Sequence, residues 1–262
     1  MTAATDPLVR VSTSAGVTTL TLDSPANRNA LSTQLMTELL AGLTAAVADD
    51  AVRAVVLSHT GPVFCSGADL KETAAAYASG TVPAGMLGDV LAAVWECPKP
   101  VVARVGGPAR AGGLGLIAAA DIAVCAREAT FAFTEVRIGV IPAVISATVL
   151  RRLAPRAAAD LYLTGETFDG DRAERVGLVT AAVPAADLDA AVDRYCAALV
   201  RGAPGALAGA KELLRRPAGT GLRAELAELS TLSTGYFLSA EGREGVLAFR
   251  EKRPASWVPA AD

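Results

Sequence analysis

Apolar and polar side chains alternate from Leu8 to Ser12 and again from Val17 to Leu22, on either side of a Ser-Ala-Gly turn, which predicts a β-hairpin. After the turn-like Asp23-Ser-Pro-Ala-Asn27, Ser32 stands as a helix N-cap. Leu35, Leu39, Leu43 and Val47 then fall on one face of a helix that runs to about Asp49. Arg53 to Ser58, Val101 to Val105 and Ile122 to Cys125 are short continuous apolar runs separated by helical segments. That alternation predicts an α/β core of parallel strands joined by crossovers. From Ala143 onward the period is mostly helical. Leu178 to Val183 is the last expected strand, and Asp187 to Arg201, Pro204 to Arg215 and Leu222 to Arg250 are the expected helices. Arg215-Arg-Pro-Ala-Gly-Thr-Gly221 breaks the helical pattern, so the chain divides into a core over 1–200 and a helical C-terminal region over 201–262.

Composition narrows the functional classes. At 262 residues the chain can bury a sizeable core, and its 52% hydrophobic content with 5% aromatic comes largely from Ala, Val and Leu. A formal charge of −3 gives no basic footprint for nucleic acid. The longest apolar stretch, Ala111 to Ala126, is interrupted by Asp121 and three glycines and is too short to cross a bilayer. The first residues carry no basic region followed by an apolar segment, which leads to an expected cytoplasmic location. Cys65, Cys97, Cys125 and Cys196 form no CxxC pair and read as buried free thiols, so no metal site is expected. His59 is the only histidine and has no GxSxG elbow nearby, so it reads as a loop residue that satisfies local hydrogen bonds.

Two glycine-bearing loops hold the candidate chemistry. In Phe64-Cys-Ser-Gly-Ala-Asp-Leu-Lys-Glu72, Gly67 permits a tight turn that aims the Ala68 N–H outward at a helix start. In Gly106-Gly-Pro-Ala-Arg-Ala-Gly-Gly-Leu-Gly115, Gly112 and Gly113 let a ligand approach the backbone at a second helix start. Two such donors suit the oxygen of a thioester as it becomes an enolate.

With these residues in place, the chain resembles the crotonase, or enoyl-CoA hydratase/isomerase, superfamily. The resemblance is carried by Ser24-Pro-Ala-Asn-Arg-Asn-Ala-Leu-Ser32, Phe64-Cys-Ser-Gly-Ala-Asp-Leu-Lys71, Ala111-Gly-Gly-Leu-Gly-Leu116 with Asp121-Ile-Ala, and Phe131-Ala-Phe-Thr-Glu-Val-Arg-Ile-Gly139. Leu163-Thr-Gly-Glu166, Gly177-Leu-Val179 and Glu241-Gly-Arg-Glu-Gly-Val-Leu-Ala-Phe249 extend it over most of the sequence. It implies a spiral of strand-strand-helix repeats followed by a helical trimerisation region, assembled as a homotrimer or a dimer of trimers. It also implies that Ala68 and Gly112 supply two oxyanion N–H donors and that Ala68, Asp69, Leu70 and Lys71 lie along the CoA of an acyl-CoA thioester. No separate cofactor is implied, since CoA is part of the substrate.

Hydratases of this family carry two glutamates. Here the first position is Gly115, while the second is Glu135. A buried glutamate beside a thioester can move an α-proton near neutral pH, which makes Glu135 the candidate acid–base group; as a plain structural residue it would sit in the first turn of a short helix. Hydration of a 2-enoyl-CoA is the expected reaction. Isomerisation of a 3-enoyl-CoA with one base stays open, as do hydrolysis or decarboxylation on the same donors and a non-catalytic acyl-CoA-binding member. Arg110 and Arg137 flank the two stretches and either hold a second substrate carboxylate or serve as structural arginines. Asp121 reads as a local hydrogen-bonding residue, and Glu241 and Glu244 as part of an exposed array with Arg243 and Arg250.

Overall fold

The computed structural model describes residues 6–69, 71–72, 85–216, 226, 229, 231–236 and 239–259. Its main sheet has six strands, β1 (Val9–Ser14), β2 (Val17–Leu22), β3 (Ala54–His59), β4 (Val101–Val105), β6 (Ile122–Ala126) and β9 (Ala181–Val183), in that spatial order. β1 and β2 form the expected antiparallel hairpin, Val9 opposite Leu22 through Ser14 opposite Val17. Its two-residue turn places Ala15 and Gly16 at φ 47° and 77°, the backbone that matches strand twist in tight hairpins. All later neighbours in this sheet are parallel.

Helix α1 (Thr33–Ala48) begins where its sequence requires: the Ser32 side chain accepts from the Leu35 N–H at 3.2 Å. It buries Leu35, Met36, Leu39, Leu43 and Ala46 against the sheet. Helix α2 (Gly85–Glu96) precedes β4. Between β4 and β6 the chain forms β5 (Ala109–Arg110) and α3 (Gly112–Ala119), a helix buried at every residue. An all-apolar helix of this length is a core element, and no helix among the described residues is long and apolar enough to cross a membrane. After β6 come β7 (Thr130–Ala132), a 3₁₀ turn (Thr134–Ile138), α4 (Ala143–Val149), α5 (Pro155–Thr164), β8 (Phe168–Asp169) and α6 (Gly170–Arg175). After β9 come α7 (Leu188–Leu199), α8 (Pro204–Arg215) and α9 (Ala240–Glu251).

Two features depart from the sequence reading. A second sheet, β5-β7-β8, was not expected, because strands of two or three residues leave no period to read. The expected helix from Leu222 to Arg250 is interrupted: Ser239 is extended at ψ 165° and its side chain caps α9 by accepting from the Gly242 N–H. Glu244 pairs with Arg253, which holds its carboxyl down at about 2, and Glu241 caps α8 by accepting from the Gly205 N–H, in place of the expected array with Arg243 and Arg250.

Polar groups fasten the C-terminal helices to the sheet. Lys211 on α8 is only 5% exposed; its ammonium donates to the Lys99 carbonyl at 2.8 Å and to the Asp121 carboxylate. Asp121 also accepts from the Val101 N–H at 2.7 Å, so one carboxylate joins β4, the start of β6 and α8. All four cysteines are free and buried, and burial pushes Cys65 and Cys125 up to about 12, leaving unreactive thiols.

His59 is a structural histidine. Its Nε2 accepts from the Gly106 N–H at 3.0 Å and its ring meets Phe64 edge-on. An accepting Nε2 requires the neutral ring, and burial lowers the His59 pKa from its ordinary 6.5. Below that value the unfolded chain binds a proton that the folded chain refuses, so stability is complete above it and is lost as pH falls through the folded pKa. Thermal melts between pH 7.5 and 5.5 will show this loss, and His59→Gln will flatten that part of the profile.

Candidate active site

Three parallel segments bring the candidate residues to one end of the small sheet. Cys65 bridges Ala109, and the Arg110 N–H donates to the Cys65 carbonyl at 3.0 Å. On the other side Ala109 pairs with Phe131 and Arg110 with Ala132. Because all three run in the same direction, they leave the sheet at the same end, as Gly67-Ala68, Ala111-Gly112 and Phe133-Thr134-Glu135. Residues far apart in sequence thus meet through strands too short to recognise in advance.

The first two exits touch. Gly67 adopts φ +94°, and a Cβ there would lie 2.9 Å from the Ala111 Cβ and 3.7 Å from the Gly112 nitrogen. Ala111 itself is held at φ 46°, ψ −118°, a conformation that costs on the order of 1–3 kcal/mol in a non-glycine residue. This strained residue turns the chain abruptly into α3, so that the Gly112 N–H is at the helix start. Among the described residues, neither the Ala68 N–H nor the Gly112 N–H has an acceptor. Ala68 is exposed and is anchored by its bridge to Leu31, with the Leu31 N–H donating to the Gly67 carbonyl at 2.8 Å. The loop before it is held by buried Asn29, whose amide donates to the Thr60 and Val63 carbonyls.

Glu135 occupies the 3₁₀ turn, half-buried, and its Oε2 is a buried oxygen with no hydrogen-bond partner among the described residues. Burial pushes its pKa up from the ordinary carboxylate value, partly offset by a hydrogen bond to its own backbone. A carboxyl group left with an unused oxygen in a desolvated setting is suited to giving or taking a proton near neutral pH.

The other candidates divide. Asp69 accepts from the Lys71 and Glu72 N–H groups at 2.8 and 3.2 Å and from the Asn27 amide, so its carboxylate braces this loop. Lys71 is exposed. Leu70 lies outside the described residues. Arg110 donates to the Ala109 and Thr130 carbonyls and to the Thr130 hydroxyl, tying β5 to β7 as a structural arginine. Arg137 is exposed and reaches the Thr164 carbonyl at 3.3 Å.

Gly115 has no room for a side chain. A Cβ there would lie 2.7 Å from Ile145 Cγ2 and 3.1 Å from Leu91 Cδ1, and Thr148 donates to the Gly115 carbonyl at 3.1 Å. Hydrocarbon from α2 and α4 therefore fills the place where a second carboxylate would project from α3.

Sequence reasoning assigned no role to the hydroxyls of Tyr162 and Ser146. Tyr162 on α5 packs its ring against Phe133 with centroids 4.5 Å apart, and Ser146 Oγ on α4 lies 3.4 Å from its oxygen. Ser146 closes the Pro142-Ala-Val-Ile-Ser stretch and Tyr162 falls within an amphipathic helix, and neither position tells a pocket hydroxyl from a surface one.

A spiral of parallel strands and buried helices, with two unpaired backbone donors and a desolvated carboxyl at one end, defines a protein of the crotonase fold. The family model described as enoyl-CoA hydratase/isomerase matches residues 12–259, and the chain belongs to that family. It is similar to the 2,3-dehydroadipyl-CoA hydratase of Escherichia coli K12, 31% identical over 240 residues that cover 89% of this chain and 92% of the relative. A solved enoyl-CoA hydratase from Mycobacterium avium is 45% identical with a TM-score of 0.73, covering 97% of this chain and 100% of that one. One from Shewanella pealeana is 31% identical with a TM-score of 0.89, covering 95% and 96%.

Proposed function

We propose that the protein hydrates a 2-enoyl-CoA thioester to a 3-hydroxyacyl-CoA through an enolate. The Ala68 and Gly112 N–H groups hold the thioester oxygen, and Glu135 moves the proton. The carrying observation is the unpartnered buried oxygen of Glu135, delivered by β7 to the same end of the small sheet as the two donors. The names of the similar proteins, hydratases of CoA esters, support the reaction. CoA arrives with the substrate, lying along Ala68, Asp69, Leu70 and Lys71. The helix start of α3 favours the developing negative charge.

The plugged space at Gly115 favours a second reading, isomerisation of a 3-enoyl-CoA, in which one carboxylate carries the proton between α and γ carbons. Incubation with a trans-2-enoyl-CoA in deuterated water, followed by mass spectrometry, separates the two. Hydration adds one heavy water; a shifted double bond with deuterium but no added oxygen replaces the hydratase reading by the isomerase.

The assembly we propose is a homotrimer or a dimer of trimers. Ile138, Ile141 and Leu163, each more than 70% exposed beside the Glu135 turn, support burial against another copy.

A further inference from the structure

Helix α2 lies along α3, whose first N–H is one of the two donors proposed for the thioester oxygen. A Cβ at Gly112 would lie 3.5 Å from Leu87 Cδ2, and one turn on a Cβ at Gly115 would lie 3.1 Å from Leu91 Cδ1. Leu91 also lines a groove of about 240 Å³ between α2 and α4. The groove thus begins where α2 touches the first turn of α3. It opens at Gly88, where a Cβ would meet no atom within 4 Å, and runs past Ala147 and Thr148 to Trp95 and Arg151. From Leu87 to Trp95 α2 rises roughly 12 Å.

The length of the groove and its far end differ in character. The Thr148 hydroxyl donates to the Gly115 and Ile145 carbonyls, each at 3.1 Å, so its single proton is already engaged. At the far end three guanidinium groups surround one indole: Arg152 lies 4.8 Å, Arg151 5.8 Å and Arg215 5.9 Å from the Trp95 ring centroid. Arg152 donates to the Ala118 and Ala120 carbonyls. Arg151 is exposed and uses only its Nε, on the Ala147 carbonyl at 2.9 Å. Arg215 keeps a buried Nη2 with no hydrogen-bond partner among the described residues. None of the three is in an ion pair among those residues, and the nearby Asp121 carboxylate is taken by Lys211. Glu96 lines the groove as well, but one exposed carboxylate beside three cations leaves this end positive.

An apolar groove that leads away from a thioester site and ends in unneutralised guanidinium groups suits a hydrocarbon chain with an anionic tip. Resting on the enoyl-CoA reading above, we infer that the substrate's acyl chain ends in a carboxylate, held by Arg151 over Trp95 at the end of the α2–α4 groove. The chain passes Leu87, enters at Gly88 and lies against Leu91. Both terminal nitrogens of Arg151 face the carboxylate, a planar fork matched to two oxygens. Arg152 and Arg215 add positive potential from their places around the same ring. Arg151 sets which ester is accepted and takes no part in the chemistry at the thioester.

Turnover of matched CoA esters tests this: trans-2-hexenedioyl against trans-2-hexenoyl, and trans-2-octenedioyl against trans-2-octenoyl. Expected is a kcat/KM that favours the dioyl ester by about 10- to 100-fold in at least one pair, mostly through KM, as for a hydrogen bond to a charged group. Arg151→Met brings that ratio to within about 3-fold of unity, and Arg151→Lys, which keeps the charge without the fork, restores part of it. Gly88→Leu, for which the groove has open space, lowers turnover of the preferred ester more than that of crotonyl-CoA. A ratio near unity in the wild type at both lengths overturns the inference and leaves the enoyl-CoA chemistry standing. A preference that survives Arg151→Met overturns the placement of the carboxylate, and equal losses for all esters in Gly88→Leu overturn the path of the chain. Wild-type protein that turns over none of the esters removes the functional reading itself and this inference with it.

Discussion

Glu135→Gln will lower turnover of a 2-enoyl-CoA by about 10²–10⁴-fold, the range for loss of a positioned acid–base group. The substitution keeps the shape of the side chain and removes only its proton chemistry. Folding stability at pH 7 will be unchanged or higher. The reason is the sign of the shift: burial raises the Glu135 pKa, so its contribution to stability is full below the ordinary carboxylate value and lost as pH rises through the folded one. At neutral pH the folded chain bears the cost of a desolvated charge, which a neutral amide removes. Steady-state kinetics beside a urea melt check both halves. A variant that retained wild-type turnover would mean that Glu135 is not the acid–base group, and one that lost activity together with stability would mean that Glu135 is structural.

Asp121→Asn will cost about 3–5 kcal/mol of stability, the range for stranding one member of a buried ion pair. Lys211 is left with its ammonium buried and only the Lys99 carbonyl as partner, and burial already pushes its pKa down. Asparagine retains an acceptor for the Val101 N–H, so the effect isolates the charge. Adding Lys211→Met will restore most of the loss, because a methionine fills the same channel without an unpaired charge. Urea midpoints of the wild type, both single variants and the double variant close the cycle. Additive losses would show that the two residues act independently.

The helices and long strands were legible because each carries its own instructions. Ser32 caps α1, Leu35, Leu39 and Leu43 mark its buried face, and the apolar run over Val101–Val105 is β4 at the expected bounds. Pro204–Arg215 likewise needs only its proline at the first turn and its amphipathic period. The break at Ser239 was missed because a serine reads equally well inside a helix or at its cap, and the extended backbone that decides between them is not a property of the residue. The buried role of Lys211 was missed for a related reason: a lysine on an amphipathic helix reads as solvated unless its distant partner, Asp121, is known.

The family and the candidate roles of Ala68, Gly112 and Glu135 were readable from motifs, since glycine turns and a glutamate at fixed spacing are local features. Their meeting was not. It depends on Cys65–Ala109 and Ala109–Phe131 pairings across strands of two or three residues, whose register is set by the packing around them. The sequence by itself determined which residues could do chemistry: two amides freed by glycine-rich turns, one glutamate, and no carboxylate at Gly115. Only the tertiary structure decided what surrounds them, with Ile145 and Leu91 closing the space beside Gly115 and burial enclosing the Glu135 carboxyl. The physical reason is that a turn or a cap costs and gains its free energy within a few residues, whereas desolvation and the direction of a hydroxyl are set by neighbours that only the folded chain brings together.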